Sequence, residues 1–367
     1  MTASNPTPMH DALALAREAI GLTEPNPRVG CVLTAPDGRV IGRGHTQRAG
    51  EAHAEVMALR DAAARGERVE GATVHVTLEP CSHHGRTPPC CDALIAAGVA
   101  RVVVAVADPN PLVAGQGSAR LRAAGIEVIE GEAADAEASR ELNIGFFSRM
   151  QRGRPWVRLK IAVSLDGRTA LPDGRSQWIT GPQARADGHA WRKRAGAVLT
   201  GVGTVLDDDP RLDVRLVDTP LQPRRVVVDS RLETPPAARI LDAPGRVLVY
   251  AAVPDAAREA ALRARGAEIA YAPGPTGKVD LGAMLLDLGA RGVNELHVEA
   301  GHKLNGSLVR ERHVDEFLVY VAPKLLGEGR GLAAIGPLAN LADAPVLRFT
   351  EVASVGEDLR ILARPAG

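Results

Sequence analysis

Apolar and polar positions follow two different periods along the chain, and the changes of period predict alternating strands and helices. Residues 29–46 are predicted to form an opening hairpin that turns at Pro36-Asp37-Gly38, a sequence typical of a turn. The run RVVVAVA at 101–107 is continuously apolar, as in a strand buried on both faces. Further strands are predicted at 72–78 and 126–131, and helices at 10–20, 53–64 and 89–98, with another helix ending at Gly125. This alternation indicates a layered α/β sheet.

A second α/β series begins after the stretch IGFFSRMQRGRP at 144–155, where charge, Gly and Pro interrupt the pattern. Strands are predicted at 156–163, 197–201, 224–229, 246–251, 267–271, 295–299 and 316–321. Helices are predicted at 181–195, 255–265, 280–290 and 302–312, and the tail at 346–364 is predicted to form a closing antiparallel pair. The sequence therefore predicts two α/β domains, residues 1–147 and 148–367.

Length and composition agree with two domains of a globular enzyme. The 367 residues exceed the size at which one hydrophobic core stops growing. Lys and Arg number 44 and so do Asp and Glu, so the chain lacks the basic excess of a nucleic-acid-binding protein. No apolar run approaches the ~18 residues of a membrane span. The N-terminus has neither the basic start nor the continuous apolar core of a signal peptide, so we expect a cytoplasmic protein with no membrane partner.

Two stretches carry the residues that most resemble a metal site. They are AGEAHAEVMALR at 49–60 and TLEPCSHHGRTPPCC at 77–91. A catalytic zinc has three protein ligands and one open position for water. One imidazole from His53 and two thiolates, from Cys81 and Cys90, can converge on one ion, and cysteines without disulfide partners suit a cytosolic metal site.

The pattern of these residues is typical of zinc nucleobase deaminases, which carry H-x-E and P-C-x-x-C. His53 and Glu55 form the H-x-E, but the second cysteine follows Cys81 by nine positions instead of three. In such a site the zinc lowers the pKa of its bound water toward ~7. Glu55, which does not bind the metal, would take the proton and deliver it to the ring nitrogen and the departing ammonia.

The cysteines, the loop histidines and Glu55 also have alternative interpretations. Cys31 lies inside a predicted strand and is expected in the core. Cys91 competes with Cys90 as a ligand. His83 and His84 could complete a closed, structural four-ligand site, or they could be solvated loop residues that touch substrate. Glu55 could be an ordinary helix-surface carboxylate.

The full set of motifs resembles the bifunctional deaminase–reductases of riboflavin biosynthesis. The first half matches in EPNPRVGCV (24–32), GEAHAE (50–55), TLEPCSHHGRTPPC (77–90) and DPNPLVAGQG (108–117). The second half matches in LKIAVSLDGRTA (159–170), SQWITG (176–181), VGTVLDDDPRLDVR (202–215), VVVDS (226–230), HVEAG (297–301) and VYVAPKLLG (319–327). The resemblance runs in order over nearly the whole chain.

This resemblance implies a fold and two reactions. It implies an N-terminal cytidine-deaminase-like α/β/α sandwich and a C-terminal dihydrofolate-reductase-like α/β domain. The first would deaminate 2,5-diamino-6-(5-phosphoribosylamino)pyrimidin-4(3H)-one with zinc, and the second would use NADPH to reduce the ribosyl group of the uracil product to ribityl. It also implies a homo-oligomer, a dimer or larger.

The resemblance further implies site residues, including the choice of Cys90 over Cys91. The zinc ligands are His53, Cys81 and Cys90, the proton shuttle is Glu55, and Asn26 helps to hold the pyrimidine. The NADPH contacts are Ala162, Trp178, Thr204, Asp208, Ser230, Gly301, His302, Lys303, Leu304, Asn305, Gly306 and Ser307. The substrate contacts in the reductase half are Ser176, Arg192, Leu212, Arg215 and Glu299.

Without the resemblance, the residues of the second half indicate only some of these cofactor and substrate contacts. No G-x-G-x-x-G follows a strand. A predicted strand ends at Glu299, however, a glycine follows at 301 and a helix begins, which suits a phosphate and equally suits plain chain reversal. Arg192 and Arg215 suit a phosphorylated substrate, because a guanidinium binds phosphate through two hydrogen bonds. Lys160 and Asp166 lie near the expected hydride-transfer site, where Asp166 could simply shape a turn.

Two other functions fit parts of the pattern. A deaminase of tRNA or nucleosides with an appended binding domain would show a basic surface excess and would consume no NADPH. A zinc-stabilised binding module without catalysis would use His83 or His84 as a fourth ligand and would unfold on chelation.

Overall fold

The computed structural model describes residues 7–83, 88–111 and 113–366. The chain divides into two compact units, Met1–Gly153 and Arg154–Gly367. The division predicted between residues 147 and 148 falls inside a helix, Ile144–Arg152, and the two units meet six residues later. Among the described residues, no helix has both the length and the apolar character needed to cross a membrane.

The first unit is a five-stranded sheet with helices on both faces. Its strands are β1 (Gly30–Thr34), β2 (Val40–His45), β3 (Thr73–Val76), β4 (Arg101–Val104) and β5 (Glu127–Glu130). Its helices are α1 (Pro8–Glu18), α2 (Ala54–Ala64), α3 (Cys90–Ala96), α4 (Gln116–Ala123), α5 (Ala133–Leu142) and α6 (Ile144–Arg152). The strand order is β2-β1-β3-β4-β5, in which β1 pairs antiparallel with β2 and β3, and β3, β4 and β5 are parallel.

The alternation of side chains along β1 separates the two faces of this sheet. Val32 packs with Met9 and Ala12 of α1 on one face, whereas Cys31 and Leu33 join the larger core on the other. Cys31 is fully buried, as predicted. The expected α/β/α sandwich is therefore confirmed.

Glycines allow the helices to lie directly on the strands of the opening hairpin. A Cβ atom at Gly30 would lie 1.8 Å from the carbonyl oxygen of Ala12, and one at Gly44 would lie 2.5 Å from the backbone nitrogen of Ala58. Neither position has room for a larger residue. The hairpin thus holds α2, which carries the first candidate ligand, close against the sheet.

The second unit is built on a nine-stranded sheet and a separate two-stranded ribbon. Its strands are β6 (Trp156–Ser164), β7 (Arg168–Ala170), β8 (Ala197–Gly201), β9 (Arg224–Val228), β10 (Val247–Ala251), β11 (Glu268–Tyr271), β12 (Glu295–Val298), β13 (Glu316–Ala322), β14 (Arg330–Gly331), β15 (Leu347–Val355) and β16 (Asp358–Pro365). Its helices are α7 (Pro182–Arg194), α8 (Val202–Asp208), α9 (Arg239–Asp242), α10 (Ala256–Ala264), α11 (Leu281–Ala290) and α12 (His302–Arg310).

The order of the large sheet is β11-β10-β9-β8-β12-β6-β13-β16-β15, and β7 pairs with β14. All neighbours from β11 to β13 run parallel, while β16 pairs antiparallel with β13 and β15. The carboxyl ends of β6, β8, β9 and β12 therefore lie side by side at one edge, where ligands of open α/β sheets bind.

The structure contains helices that the pattern did not predict. Helices α5 and α6 occupy 133–152, part of which was interpreted as the interruption between domains. Helix α8 begins directly after Gly201, where the sequence GVGTV was interpreted only as an incomplete dinucleotide motif. Helix α9 and the two strands of the ribbon, β7 and β14, were not predicted either. The remaining strands and helices lie where they were predicted, apart from their exact ends.

Candidate functional site

Two helix starts bring the candidate metal ligands of the first unit together. His53 is the N-cap residue of α2, and Cys90 is the first residue of α3. Cys81 lies in the connection between β3 and α3, and its sulfur accepts a hydrogen bond of 3.3 Å from the backbone N–H of Cys90. The backbone N–H of Cys91 in turn donates to the carbonyl oxygen of Cys81 at 3.2 Å. The first turn of α3 thus fixes the position of Cys81.

The distances between the three side chains match the edges of a tetrahedral zinc site. Nδ1 of His53 lies 3.3 Å from Sγ of Cys90 and 3.6 Å from Sγ of Cys81. For Zn–S and Zn–N bonds of ordinary length at tetrahedral angles, sulfur and nitrogen lie about 3.5 Å apart. All three ligand atoms lie within 4.8 Å of one another. One imidazole and two thiols at these distances fit zinc with a fourth position left for water.

The electrostatics of the cluster favour a thiolate at Cys81. Hydrogen bonds from Cys90, through its side chain and its backbone, lower the pKa of Cys81, and the adjacent His53 adds to the effect. The hydrogen bond with Cys81 likewise raises the pKa of His53. Because a cysteine binds zinc as its thiolate, the lowered pKa of Cys81 favours a cation at this position, whereas His53 must lose its proton to bind one.

Cys91 belongs to a different environment from Cys90. Its thiol donates to the carbonyl oxygens of Pro80 and Gly117, at 3.4 and 3.6 Å. Burial raises its pKa to about 12. The structure therefore places Cys90, and not Cys91, beside His53.

Glu55 lies in the first turn of α2, two residues after the candidate ligand on the same helix. It is 3 % exposed, and burial followed by the charge of Cys81 raises its pKa to about 7. Both its protonated and its ionised form are then accessible near neutral pH, which is what a proton shuttle needs. Glu55 is therefore no surface carboxylate.

Among the described residues, the candidate metal cluster consists of three side chains, those of His53, Cys81 and Cys90. Of the two loop histidines, His83 is exposed. His84 lies outside the described residues. Within the described part of the chain, the ligand set has the three members typical of a catalytic zinc site.

Two residues that the sequence analysis did not select support the loop beside this site. The buried carboxylate of Glu79 accepts hydrogen bonds from the backbone N–H groups of Asp108, Gly115 and Ser118, at 3.2, 3.0 and 2.9 Å. A Cβ atom at Gly117 would lie 2.0 Å from the carbonyl oxygen of Pro80. The motif DPNPLVAGQG at 108–117 is thus attached to the residues that directly precede Cys81.

The turn that carries Asn26 is held by α5 and α6. The side chain of Asn143 accepts from the backbone N–H of Arg28 at 2.8 Å and donates to the carbonyl oxygen of the same residue at 2.9 Å. Arg149 donates to the carbonyl oxygen of Pro25 at 3.0 Å. Asn143, which lies between α5 and α6, was not predicted, because a single Asn has no distinctive spacing.

In the second unit, a cleft of about 1550 Å³ lies at the carboxyl edge of the parallel strands. Almost all the residues that the resemblance implied for NADPH and substrate line it. They are Ala162, Trp178, Thr204, Asp208, Ser230, Gly301, His302, Lys303, Leu304, Asn305, Ser307, Ser176, Arg192, Leu212, Arg215 and Glu299. Lys160 lines it as well.

Two of the selected residues lie elsewhere. Gly306 faces the chain beyond the cleft, since a Cβ atom there would lie 2.2 Å from the carbonyl oxygen of Ala334. Asp166 accepts hydrogen bonds from the hydroxyl of Ser164 and from the backbone of Leu326 and Gly327. Asp166 therefore ties two loops together and does not line the cleft.

An acidic side chain and two cations meet inside the cleft. Arg192 binds both carboxylate oxygens of Glu299, at 2.5 and 3.0 Å, and Nζ of Lys160 lies 3.5 Å from the same group. Burial alone would raise the pKa of Glu299, but the neighbouring Arg192 and Lys160 hold it well below its usual range. Glu299 is ionised and fixed in position before any ligand binds.

A second charged group continues from this one. Asp213 pairs with Arg215 at 2.8 Å, and its carbonyl oxygen accepts from Arg192 at 2.9 Å. The backbone N–H of Arg215 donates to Nδ1 of His189 at 3.1 Å. Leu212, directly before Asp213, has a φ of 52°, a left-handed conformation that a leucine rarely adopts and that often marks a functional segment.

Trp178 offers the cleft an exposed aromatic face. It is 60 % exposed, and the guanidinium of Arg185 lies 4.7 Å above the centre of its ring. The sequence analysis left open whether this tryptophan belonged to the core. Its exposure on the cleft wall instead makes the ring available for stacking.

Beneath the cleft, the sheet contains a buried network of charges that the sequence did not indicate. Arg158 is 2 % exposed and donates to Glu316 at 2.5 Å and to Glu295 at 2.7 Å. Arg194 also binds Glu295, and Arg364 binds Glu316. These contacts join β6, β12, β13 and β16 just before the strands reach the cleft.

Comparison with known proteins matches both units. A family model described as the cytidine and deoxycytidylate deaminase zinc-binding region matches residues 4–106, and one described as the RibD C-terminal domain matches residues 155–361. Riboflavin biosynthesis protein RibD of Escherichia coli (strain K12) is 48% identical over 365 residues, which cover 96% of each chain. The protein of the same name from Aquifex aeolicus is 41% identical, with 95% of each chain covered.

Solved structures give the same result. Acinetobacter baumannii RibD, form 1, has a TM-score of 0.89 and 40% sequence identity, with 98% of each chain covered. A diaminohydroxyphosphoribosylaminopyrimidine deaminase/5-amino-6-(5-phosphoribosylamino)uracil reductase from Thermotoga maritima has a TM-score of 0.86 and 33% identity, also with 98% of each chain covered. These similarities extend over both units at once.

Proposed function

The chain belongs to the RibD family of riboflavin biosynthesis, whose members join a zinc-dependent deaminase to a reductase, and from this premise we propose which of its residues perform the two reactions. The first unit deaminates 2,5-diamino-6-(5-phosphoribosylamino)pyrimidin-4(3H)-one to 5-amino-6-(5-phosphoribosylamino)uracil. The second reduces the ribosyl group of that product to ribityl with NADPH. The observation that carries the proposal is the cluster of His53, Cys81 and Cys90 with the buried carboxyl of Glu55 beside it.

His53, Cys81 and Cys90 would hold the zinc of the deaminase. Zinc bound there supplies the Lewis acidity that makes water a nucleophile near neutral pH. Hydrolysis adds one water to the amidine-like carbon of the pyrimidine and releases ammonia. The chain's own contribution is to hold three ligands in place and to leave the fourth direction open.

Glu55 moves the protons of this step. It takes one proton from the attacking water and gives it to the ring nitrogen, and it then takes the second proton of that water, from the hydroxyl now on carbon, and gives it to the departing amine, which leaves as ammonia. Its raised pKa, to about 7, suits both transfers, since the carboxyl must accept and release a proton twice in one turnover. Asn26, on the turn held by Asn143, would orient the pyrimidine.

The reductase cleft would act mainly by positioning. Bound NADPH would supply the hydride for C1′ of the opened, imine-like form of the sugar, and a proton would complete the reduction at nitrogen. The residues from Gly301 to Ser307 and Thr204 would hold the cofactor, with its phosphates at the start of α12. Arg192, Arg215 and Glu299 would hold the phosphorylated sugar, because guanidinium groups bind phosphate and an ionised carboxylate accepts from hydroxyls.

The decisive experiment supplies the purified protein with the diaminopyrimidine phosphate, first alone and then with NADPH. We expect ammonia release in both cases and NADPH oxidation in the second, after deamination. Ammonia release without any NADPH oxidation would support a simple deaminase with an appended domain. A protein that binds zinc and catalyses neither step would overturn the proposal.

We further expect a homo-oligomer, a dimer or larger, as the family resemblance implies, and a location in the cytoplasm, as the N-terminal sequence suggests. Sedimentation of the full chain measures the first of these, and a purely monomeric protein would contradict it.

A further inference from the structure

Residues 211–215 form an irregular segment of the reductase unit, in the connection between α8 and β9. Arg211, Leu212 and Arg215 line the cleft, and Leu212, Asp213 and Val214 are buried. Buried backbone N–H and carbonyl groups need hydrogen-bond partners. In an irregular segment these partners must come largely from side chains elsewhere in the fold.

Gln222 supplies partners for both backbone groups of Val214. Its side-chain oxygen accepts from the backbone N–H of Val214 at 2.8 Å, and its amide nitrogen donates to the carbonyl oxygen of the same residue, also at 2.8 Å. The N–H belongs to the peptide plane before Val214 and the carbonyl to the plane after it. One side chain therefore fixes both planes, and with them the direction in which the chain enters Arg215.

Helix α7 holds the residues on either side of Val214. The side chain of Arg192 donates to the carbonyl oxygen of Asp213 at 2.9 Å, and Nδ1 of His189 accepts from the backbone N–H of Arg215 at 3.1 Å. Three consecutive residues of the segment are thus held by side chains, two of them from α7. Gln222 is the contact that comes from outside this helix.

The position of Gln222 is itself determined by the large sheet. Gln222 lies two residues before Arg224, where β9 begins and pairs with β8. Gly245, with a φ of 107°, packs closely against it, since a Cβ atom at Gly245 would lie 3.3 Å from Cβ of Gln222. The carbonyl oxygen of Gly245 accepts from the side chain of Arg225 at 2.7 Å. The amide of Gln222 therefore links the segment to a fixed part of the sheet.

The side chain that this segment presents to the cleft is Arg215. Its Nη1 binds the buried carboxylate of Asp213 at 2.8 Å, and Arg211 binds the other oxygen of that carboxylate at 3.0 Å. A guanidinium has five N–H donors, so the contact with Asp213 leaves donors for a phosphate. Gln222 does not line the cleft, so it can affect a ligand only through the segment that it holds.

We propose that Gln222 is a positioning residue of the reductase, which holds Val214 so that the guanidinium of Arg215 meets the phosphate of the substrate. The proposal rests on the role of Arg215 in the proposed function and adds the residue that fixes its backbone. Without Gln222, two buried backbone groups of Val214 lose their partners, and the segment must rearrange to satisfy them. The reacting C1′ lies at the opposite end of the sugar from the phosphate, so the chemical step itself should not change.

The test compares two substrates of the NADPH-dependent reduction, 5-amino-6-(5-phosphoribosylamino)uracil and the corresponding riboside without phosphate. For the wild type we expect a lower KM for the phosphorylated substrate. Gln222→Met keeps the length of the side chain but forms neither hydrogen bond. It should raise the KM of the phosphorylated substrate about tenfold, the size of one to two hydrogen bonds, and leave its kcat and the kinetics of the riboside nearly unchanged.

A double-mutant cycle with Arg215→Ala shows whether Gln222 acts through Arg215. Arg215→Ala alone should raise the KM of the phosphorylated substrate at least as much as Gln222→Met does. In the Arg215→Ala background, Gln222→Met should add little, because two residues that act through one contact are not additive. A full tenfold rise in that background would overturn the inference.

Two further variants complete the experiment. Gln222→Asn has an amide that is one methylene too short to reach both groups of Val214, and it replaces Gln222→Met, with the same expected rise in KM, if that variant does not fold. Thr219→Ala is the matched control, because Thr219 lies in the same connection, donates to the carbonyl oxygen of Leu221 at 2.6 Å and does not line the cleft. This control should reduce both substrates like the wild type.

The outcomes separate this inference from the proposed function. An equal loss with both substrates would give Gln222 a general structural role, and an unchanged KM would give it no role, so either result would overturn the inference. If Arg215→Ala raised the KM of the phosphorylated substrate and the Gln222 variants did not, the inference alone would fail. A wild type that did not distinguish the two substrates would show that Arg215 does not hold the phosphate, and the proposed substrate contact would fail together with the inference.

Discussion

The two candidate sites are built in opposite ways. The metal cluster of the first unit draws its ligands and its acid from residues 53–90, and burial followed by the charge of Cys81 raises the pKa of its carboxyl, Glu55, to about 7. The cleft of the second unit draws its walls from residues between 160 and 330, and its acid, Glu299, is held ionised by Arg192. The metal cluster depends on one carboxyl that gains and loses a proton. The cleft depends on many charged groups whose protonation does not change.

This difference teaches how each site should respond to substitution. Proton transfer by one carboxyl cannot be shared among neighbours, so the loss of that carboxyl removes most of the rate. In the cleft, many residues contribute to positioning, so each single substitution should lower the rate of reduction only by the contribution of that residue. The predictions below separate these two behaviours.

The largest effect is expected for Glu55→Gln. The amide keeps the shape of the side chain but cannot carry the proton, so deamination should fall by a factor on the order of 10²–10⁴. Zinc content and NADPH-dependent reduction of supplied uracil substrate should be retained. Ammonia release, metal analysis and NADPH absorbance measure the three quantities, and a joint loss of both activities would show that the sites are not independent.

The adjacent cysteines provide a matched pair for the metal cluster. Cys90→Ser should lower zinc affinity by more than the ~10–100-fold typical of changes to residues that only support a ligand. Cys91→Ser should retain zinc, because the Cys91 thiol contacts Pro80 and Gly117 instead of the cluster. Competition with a chromogenic chelator measures both affinities, and the reverse order would reassign the ligand to Cys91.

Removing the buried cation of the second sheet should destabilise that unit. Arg158→Met leaves Glu295 and Glu316 buried, but each keeps another arginine, Arg194 or Arg364. The cost should therefore lie near the lower end of the range for a broken buried ion pair, ~3 kcal/mol in the free energy of unfolding.

Denaturant unfolding followed with probes in each unit tests this expectation. The exposed pair Arg175–Asp173 supplies the control, since Arg175→Met should change stability by less than ~0.5 kcal/mol. Equal effects of the two substitutions would mean that the buried network adds nothing to the stability of the cleft.

A smaller, graded effect is expected for Arg215→Lys in the reductase cleft. Lysine keeps the charge but loses the paired donors that suit both Asp213 and a phosphate, so kcat/KM for reduction should fall by about tenfold. Ammonia release by the same preparation serves as the internal control. A fall in kcat/KM of several orders of magnitude would contradict the view that many residues of the cleft share the positioning of the substrate.

The smallest effect concerns acid stability near His189. Burial, followed by the charges of Arg192 and Arg215, lowers the pKa of His189 to about 4, whereas an unfolded histidine titrates near 6.5. As the pH falls from about 6.5 toward about 4, the unfolded chain gains a proton that the folded chain does not, so stability is lost in this window. In His189→Gln the unfolding midpoint should depend less on pH between 7 and 5, and an unchanged slope would exclude His189 as a source.

Much of the fold could be predicted because strands and short helices alternate with clear periods. The hairpin, the buried strands and most helices of both units follow the apolar pattern. Helices α5 and α6 did not, because charge and glycine around 144–155 look like a linker when burial is unknown. The residues that hold them are buried polar side chains such as Ser139 and Asn143, whose environment no local pattern reveals.

The candidate sites likewise contain some residues that the sequence could predict and others that it could not. Residues near one another in sequence, such as His53 and Glu55, could be selected from spacing and from the family resemblance. Partners that only the fold brings together could not, because Glu79 and Arg158 lie far in sequence from the groups they bind. Gly306 belonged to a conspicuous glycine motif, yet it serves close packing against Ala334.

The bidentate contact between Asn143 and Arg28 has a practical consequence for dividing the chain. The side-chain amide of Asn143 pairs with both the N–H and the carbonyl oxygen of Arg28, 115 residues earlier. A neighbouring strand would form the same two backbone hydrogen bonds. A fragment that ended at residue 106, where the match to the deaminase family model ends, would lose this support. One that ended at 147 would keep Asn143 but lose the hydrogen bond from Arg149 to Pro25. We expect the shortest self-sufficient deaminase piece to retain the chain through about Gly153.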